Sequence, residues 1–131
     1  TNTSTAHGNT IRIWLFCECD NAPEFDNNGN VVATDAKNSL ISDLALYLEA
    51  AAEHNVLVVI SLFNGAMPIK TDLKGLITDT SKLQTFIDNA LVPMVRGLKN
   101  QTALAAWELM NEPEGAISFA DSSDKCTNTS W

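Results

Sequence analysis

Residues 56–63 read Val-Leu-Val-Val-Ile-Ser-Leu-Phe, and this run decides the fold. It is nearly continuous in apolar character, rich in β-branched residues, and bounded by Asn55 and the turn pair Asn64-Gly65, which predicts a strand covered on both faces. Doubly covered strands belong to parallel sheets, because crossover helices lie on the faces of such sheets. Reading outward should therefore meet a helix on each side and another strand beyond each helix.

Upstream, Leu40, Ile41, Leu44, Leu48 and Ala52 recur at helical spacing between Ser39 and His54, so one stripe faces a core. Residues 20–38 are rich in Asn, Asp and Gly and read as loop, with Asn28-Gly29 as a turn. Before it, Thr10 to Cys17 alternates as a strand. Ile11, Ile13, Leu15 and Cys17 lie on one face and Arg12, Trp14, Phe16 and then Glu18 on the other; both are mostly apolar, which predicts cover on both sides.

Downstream, a loop over 64–79 leads to Ser81-Lys82-Leu83-Gln84, which has the form of a capping box. Leu83, Phe86, Ile87, Ala90, Leu91, Met94, Val95 and Leu98 then form one apolar helix face. Pro93 lacks an N–H, so it should kink that helix by freeing the carbonyl of Asn89. Ala103 to Met110 is the third strand. Strand, helix, strand, helix, strand, with strand starts about 45 residues apart, predicts an α/β fold of βαβαβ type with right-handed crossovers. Nothing divides residues 1–131, so they read as one domain.

Composition narrows the function. The chain has 131 residues, a net charge of -8 and a pI near 4.5, with eight Lys and Arg scattered along it. Nucleic-acid and anionic-membrane partners need clustered basic residues, so a neutral ligand is expected. No apolar run approaches the roughly 18 residues of a membrane span, and the start, TNTSTAHGNT, is not of signal-peptide type; any leader is expected to have been removed. Asn2, Asn100 and Asn128 head N-x-[ST] triplets, which points to a secreted glycoprotein, with Asn100 in a polar loop the preferred acceptor. Cys17, Cys19 and Cys126 are odd in number, so at least one is free or paired outside the chain, and a CxC with one distant cysteine is a weak metal signal. Neither metal nor cofactor is expected, and neither His7 nor His54 is given a catalytic role.

The chemistry concentrates where the third strand ends, in Ala105-Ala106-Trp107-Glu108-Leu109-Met110-Asn111-Glu112-Pro113-Glu114-Gly115. Active sites of parallel α/β folds lie at the carboxyl ends of strands. A Glu there suits glycoside hydrolysis, which needs a carboxylic acid to protonate the leaving oxygen, kept protonated by partial desolvation or a nearby carboxylate. Glu112 fits that part. Asn111 offers an amide to a sugar hydroxyl, and Pro113 stiffens the backbone beyond the acid. The same tripeptide also reads as a plain strand-to-loop turn.

Other candidates surround it. Arg12 inside a strand is costly to bury unless the fold brings a carboxylate, the alternative being an arginine that snorkels to water. Glu108 is the expected partner of a basic group, Arg12 foremost. Trp14 could stack on a pyranose, whereas Trp107 reads as core. Asn64 could bond a sugar hydroxyl or simply turn the chain, and Glu18, on the same face as Arg12, could line a cleft.

At these residues the sequence resembles glycoside hydrolase family 5. IRIWLF, PEFDNNGNV, LISDLALYL, LFNGA, DTSKLQTFIDNALVPM and AWELMNEPEG follow, in order and spacing, the pattern of the animal endo-β-1,4-mannanases of that family. The resemblance implies a (β/α)8 TIM barrel and retaining, endo-acting hydrolysis of β-1,4-mannan, with this chain spanning about the second to fourth strands. Glu112 would be the acid/base, Asn111 its neighbour on the sugar beside the cleaved bond, and Arg12 the support of a nucleophile contributed from elsewhere. Where the family pattern often continues after the second strand with His and then Glu-Gly, this chain has Phe16, Glu18 and Cys19. The nucleophilic Glu has no counterpart in these residues, so the chain is expected to be a partial catalytic domain, inactive alone. Two alternatives stay open: a glycosylated, non-catalytic binding module that self-associates through open sheet edges, or an unrelated α/β domain using Asn-Glu-Pro as a turn.

Overall fold

The computed structural model describes residues 2–65 and 71–116. After a short helix α1 (Asn2–Thr5), three strands form one sheet: β1 (Thr10–Cys17), β4 (Leu57–Asn64) and β5 (Leu104–Asn111), in the order β1-β4-β5. Both pairings are parallel, with Arg12 beside Val59 and Val59 beside Ala106, Trp14 beside Ser61 and Ser61 beside Glu108. All three strands therefore end on one edge, where Asn64 pairs with Asn111 and Cys17 with Phe63.

The crossovers are helical. Helix α2 (Leu40–Glu53) links β1 to β4 and buries Leu44, Leu48 and Ala51. Ala51, not the expected Ala52, completes the stripe. Between β4 and β5 lie α3 (Thr71–Thr78), α4 (Thr80–Phe86), a π-helical turn (Ile87–Leu91) and α5 (Val92–Leu98). Phe86, Ala90, Met94 and Leu98 from this layer meet Val58, Ile60 and Leu62 of β4 in one core, and Phe16, Phe63 and Phe86 stack within 5.1–5.8 Å. The expected kink takes the form of that π turn, which takes up the irregularity just before Pro93, a residue unable to donate to the carbonyl of Asn89.

Four further expectations are corrected. Residues 20–38 hold an antiparallel hairpin, β2 (Glu24–Phe25) and β3 (Val31–Ala33), around a turn where Gly29 takes φ 77° and Asp26 accepts from the N–H groups of Asn28 and Asn30. The hairpin is pinned to the helical layer, since Val31 N–H donates to Thr85 Oγ1 and Asn89 Nδ2 to the Val31 carbonyl. Residues 64–79 contain α3. Asp79, not Ser81, caps α4, and Gln84 reaches forward to Asp88 instead of back to a free N–H. Lastly, the double cover expected of β1 is missing at Arg12 and Trp14, which stand exposed, whereas Phe16, beyond a register shift after Trp14, is buried against Phe63 and Phe86.

Candidate active site

The polar residues singled out in three separate strands meet at the carboxyl edge of the sheet. Register alone puts Arg12, Trp14, Ser61 and Glu108 on one face, since side chains at aligned positions of parallel strands project alike. Arg12 then pairs with Glu108 through both forks: Nε donates to Oε2 at 2.7 Å and Nη2 to Oε1, which also accepts from Ser61 Oγ at 3.3 Å. Nη2 donates further to Asn111 Oδ1 at 2.9 Å. The Arg12 guanidinium lies 6.0 Å from the Trp14 ring centroid.

From Asn111 the connections run back across the sheet. Its Nδ2 donates to Asn64 Oδ1 at 2.9 Å, and Asn64 Nδ2 donates to Glu18 Oε1 at 2.6 Å. Glu18, Asn64 and Asn111 at the strand ends thus join Arg12 and Glu108, which stand further back along β1 and β5, in one hydrogen-bonded array. Hydrogen bonding to Glu108 is the main cause that raises the Arg12 pKa; partial desolvation opposes it, and the charges of Glu108 and Glu112 add to it. The same bond holds the Glu108 carboxyl below its ordinary range against partial desolvation. Burial pushes the Cys19 thiol up to about 12, helped by Asp72, Asp20 and Glu18, and raises Cys17 as well.

Glu112 leaves β5 just beyond this array. It is exposed and sits at φ 46°, a left-handed backbone uncommon for a residue with a side chain, immediately before the single 3-10 turn Pro113–Ala116. Such departures gather at functional sites, where surrounding structure holds them. Cys17 and Cys19, on either side of Glu18, share the left-handed region at φ 51° and 64°. The turn over Glu112 is clamped by Gly65: its N–H donates to the Asn111 carbonyl at 2.7 Å, and a β-carbon there would lie 2.6 Å from the Glu112 carbonyl oxygen. In sequence Gly65 reads only as turn punctuation. The sole hint of its further use is that it follows Asn64 at a strand end.

The remaining candidates fall elsewhere. Trp107 is half-buried and packed against the core, His7 and His54 are exposed, and Asn100 is exposed at the turn between α5 and β5. Nothing is described of the Asn2 side chain, and Cys126 and Asn128 lie outside the described residues. Among the described residues no group of three or more His, Cys, Asp or Glu could hold a metal ion, and no helix is long and apolar enough to cross a membrane. A cavity of about 350 Å³ among β4, β5, α3, α4 and the π turn is lined by apolar residues, Leu62, Leu73, Leu76, Phe86 and Met110 among them.

No family model matches the chain. It is 50% identical over 125 residues to a mannan endo-1,4-beta-mannosidase of Mytilus edulis, covering 93% of this chain and 34% of that protein. Among solved structures it resembles the endo-1,4-beta-mannanase of Eisenia fetida, at 55% identity and TM-score 0.81 over 82% of this chain and 30% of that one. The beta-1,4-D-mannanase of Cryptopygus antarcticus superposes with TM-score 0.88 at 42% identity, over 98% and 35% of the two chains. The chain spans about a third of the length of the relatives it matches. Its three parallel strands and their crossovers are part of a (β/α)8 barrel.

Proposed function

We propose that this chain, a relative of the endo-1,4-β-mannanases over a third of their length, is part of a retaining glycoside hydrolase catalytic domain that cleaves β-1,4-mannan internally, with Glu112 as its acid/base. The observation that carries the reading is the position of Glu112: one residue beyond Asn111, at a strained backbone position on the edge where Arg12, Asn64 and Glu18 converge. In a retaining reaction Glu112 protonates the glycosidic oxygen as the bond breaks, while a second carboxylate about 5–5.5 Å away attacks the anomeric carbon. Glu112, now ionised, then takes a proton from the water that releases the glycosyl intermediate. On this reading the nucleophile has no counterpart in these residues, so the 131-residue chain alone is not expected to turn over mannan.

The other residues divide the work of binding. Asn111 donates to a hydroxyl of the sugar beside the cleaved bond. Arg12, held in place by Glu108, supports the nucleophile. Trp14 offers an aromatic face to the polysaccharide, and Asn64 and Glu18 line the same end of the cleft. An exposed Asn100 at a polar turn supports a secreted glycoprotein acting on an extracellular polymer. The test uses the intact native protein on soluble mannan beside its Glu112→Gln version. Removing general acid/base catalysis should lower kcat/KM by roughly 10²–10⁴, and the first-formed reducing end should carry the β configuration by ¹H NMR. A Glu112→Gln protein as active as its parent, or an α product, would sink the reading.

A further inference from the structure

The array at the strand ends has a direction, and its chemistry enforces that direction from both ends. Arg12 only donates, so Asn111 must present Oδ1 to it. That leaves Asn111 Nδ2 facing Asn64, which must present Oδ1 in turn and so points its own Nδ2 at Glu18. Glu18, as a carboxylate, only accepts. Turning either amide over would set donor against donor or acceptor against acceptor within this path, at Arg12 and Asn64 for Asn111, and at Asn111 and Glu18 for Asn64. Glu108 keeps the origin from swinging, since it holds Nε and Nη2 of Arg12 together.

We propose that the path from Arg12 through Asn111 and Asn64 to Glu18 is a one-way hydrogen-bond relay that locks the Asn111 amide with its second Nδ2 hydrogen offered to the sugar bound beside Glu112. This deepens the reading of the previous section and rests on it. Asn64 and Glu18 become positioning residues, which reach the substrate through Asn111. The second Nδ2 hydrogen of Asn111 has no partner among the described residues, so it is the donor left over when both amides are fixed. A cation at one end and an anion at the other polarise the bonds between them in the same sense, which strengthens each.

Asn64→Asp in the intact protein breaks the relay in a way that pH can mend. An ionised Asp at this position cannot donate to Glu18, and two facing carboxylates raise the pH at which one of them holds a proton. Once protonated, the pair again has a donor toward Glu18 and an acceptor toward Asn111. Among the described residues the other ionisable groups near this array are Arg12 with Glu108, Glu112 next to Asn111, and Cys17 and Cys19 flanking Glu18, with Asp20 and Asp72 acting on Cys19. Both thiols are raised, so they stay neutral through the acid range.

The expected result is a fall in kcat/KM on mannan of roughly tenfold at neutral pH, the size of one lost oriented hydrogen bond. Relative to parent, the deficit should shrink as pH falls. Adding Glu18→Gln to Asn64→Asp supplies a donor opposite the new carboxylate without a second charge, so the double variant should recover most of the neutral-pH loss and lose the acid rescue. Thermal melts of all three proteins identify any loss that comes from misfolding. A deficit constant across pH, or a double variant no better than Asn64→Asp, overturns the relay. A parent without mannan activity fails the proposed function, and the relay with it; an active parent with either of those results fails the relay alone.

Discussion

The carboxyl edge of the sheet and the face it gives to the helices are made from the same three strands, yet different forces hold them. On the helix side, Val58, Ile60, Leu48, Met94 and Leu98 are all fully buried, and removal of apolar surface from water is the main stabilising term. At the carboxyl edge the groups are polar: Asn64 is buried, while the Arg12 and Glu108 side chains are 40% and 32% exposed. Ion pairs that exposed contribute little to stability, because water screens them and two long side chains must be ordered. Each kind of damage should therefore register in a different measurement. Loss of a core side chain should change stability and leave the chemistry alone, and loss of an edge group should do the reverse.

The largest effect on the helix side is expected from Leu48→Ala. Leu48 is completely buried in the middle of α2, so truncation removes transfer free energy and leaves a cavity that rigid neighbours fill only in part. The cost should be about 2–5 kcal/mol, read from denaturant unfolding of the intact protein. Below the melting range its kcat on mannan should match the parent's. A proportionate fall in kcat would show that the core and the edge are coupled, and the contrast between them would fail.

A smaller effect, and the opposite signature, is expected from Arg12→Lys at the edge. Lysine keeps the charge but is a point donor, and it cannot bind Glu108 through two nitrogens while also donating to Asn111. kcat/KM should fall roughly tenfold, the scale of one well-formed hydrogen bond, with little change in melting temperature. Parental activity would mean that positive charge alone matters there, and the fork geometry nothing.

How much of this is legible in the sequence follows the same division. The three strands can be placed to within a residue or two because each carries an apolar run bounded by turn residues, and local signals of that kind survive in any tertiary context. The pairing of Arg12 with Glu108 is legible too, from the cost of an unpaired arginine in a strand. The hairpin at residues 24–33 is not, for its strands are two and three residues long and are held by Thr85 and Asn89, more than fifty positions away. Helix α3 hides in a stretch whose Gly75 and threonines weaken helix propensity, and Leu73 and Leu76 settle it by packing into the core. Gly65 escapes notice for a related reason. Its need for a bare α-carbon comes from the Glu112 carbonyl, a neighbour across the sheet that no local window contains.

The smallest effect tests a polar group that sits on the helix side of the divide. Asp79 joins two helices: its N–H donates to the Gly75 carbonyl at the end of α3, and its carboxylate accepts from Ser81 N–H at 2.9 Å and Lys82 N–H at 3.3 Å at the start of α4. Its extended backbone, φ −125° and ψ 108°, is that of an N-cap, so the first free N–H groups of α4 are satisfied by this one side chain. Asp79→Ala should therefore cost about 1 kcal/mol of stability, while Ser81→Ala, at the position the capping-box pattern favoured, should stay within about 0.5 kcal/mol. Urea midpoints of the two variants decide between them, and kcat should be parental in both. If Ser81→Ala proves the more damaging, the sequence pattern named the right cap and the geometry at Asp79 does not carry the helix start. If Asp79→Ala lowers kcat, polar groups serve the chemistry on both sides of the sheet, and the division by location gives way to one by residue type.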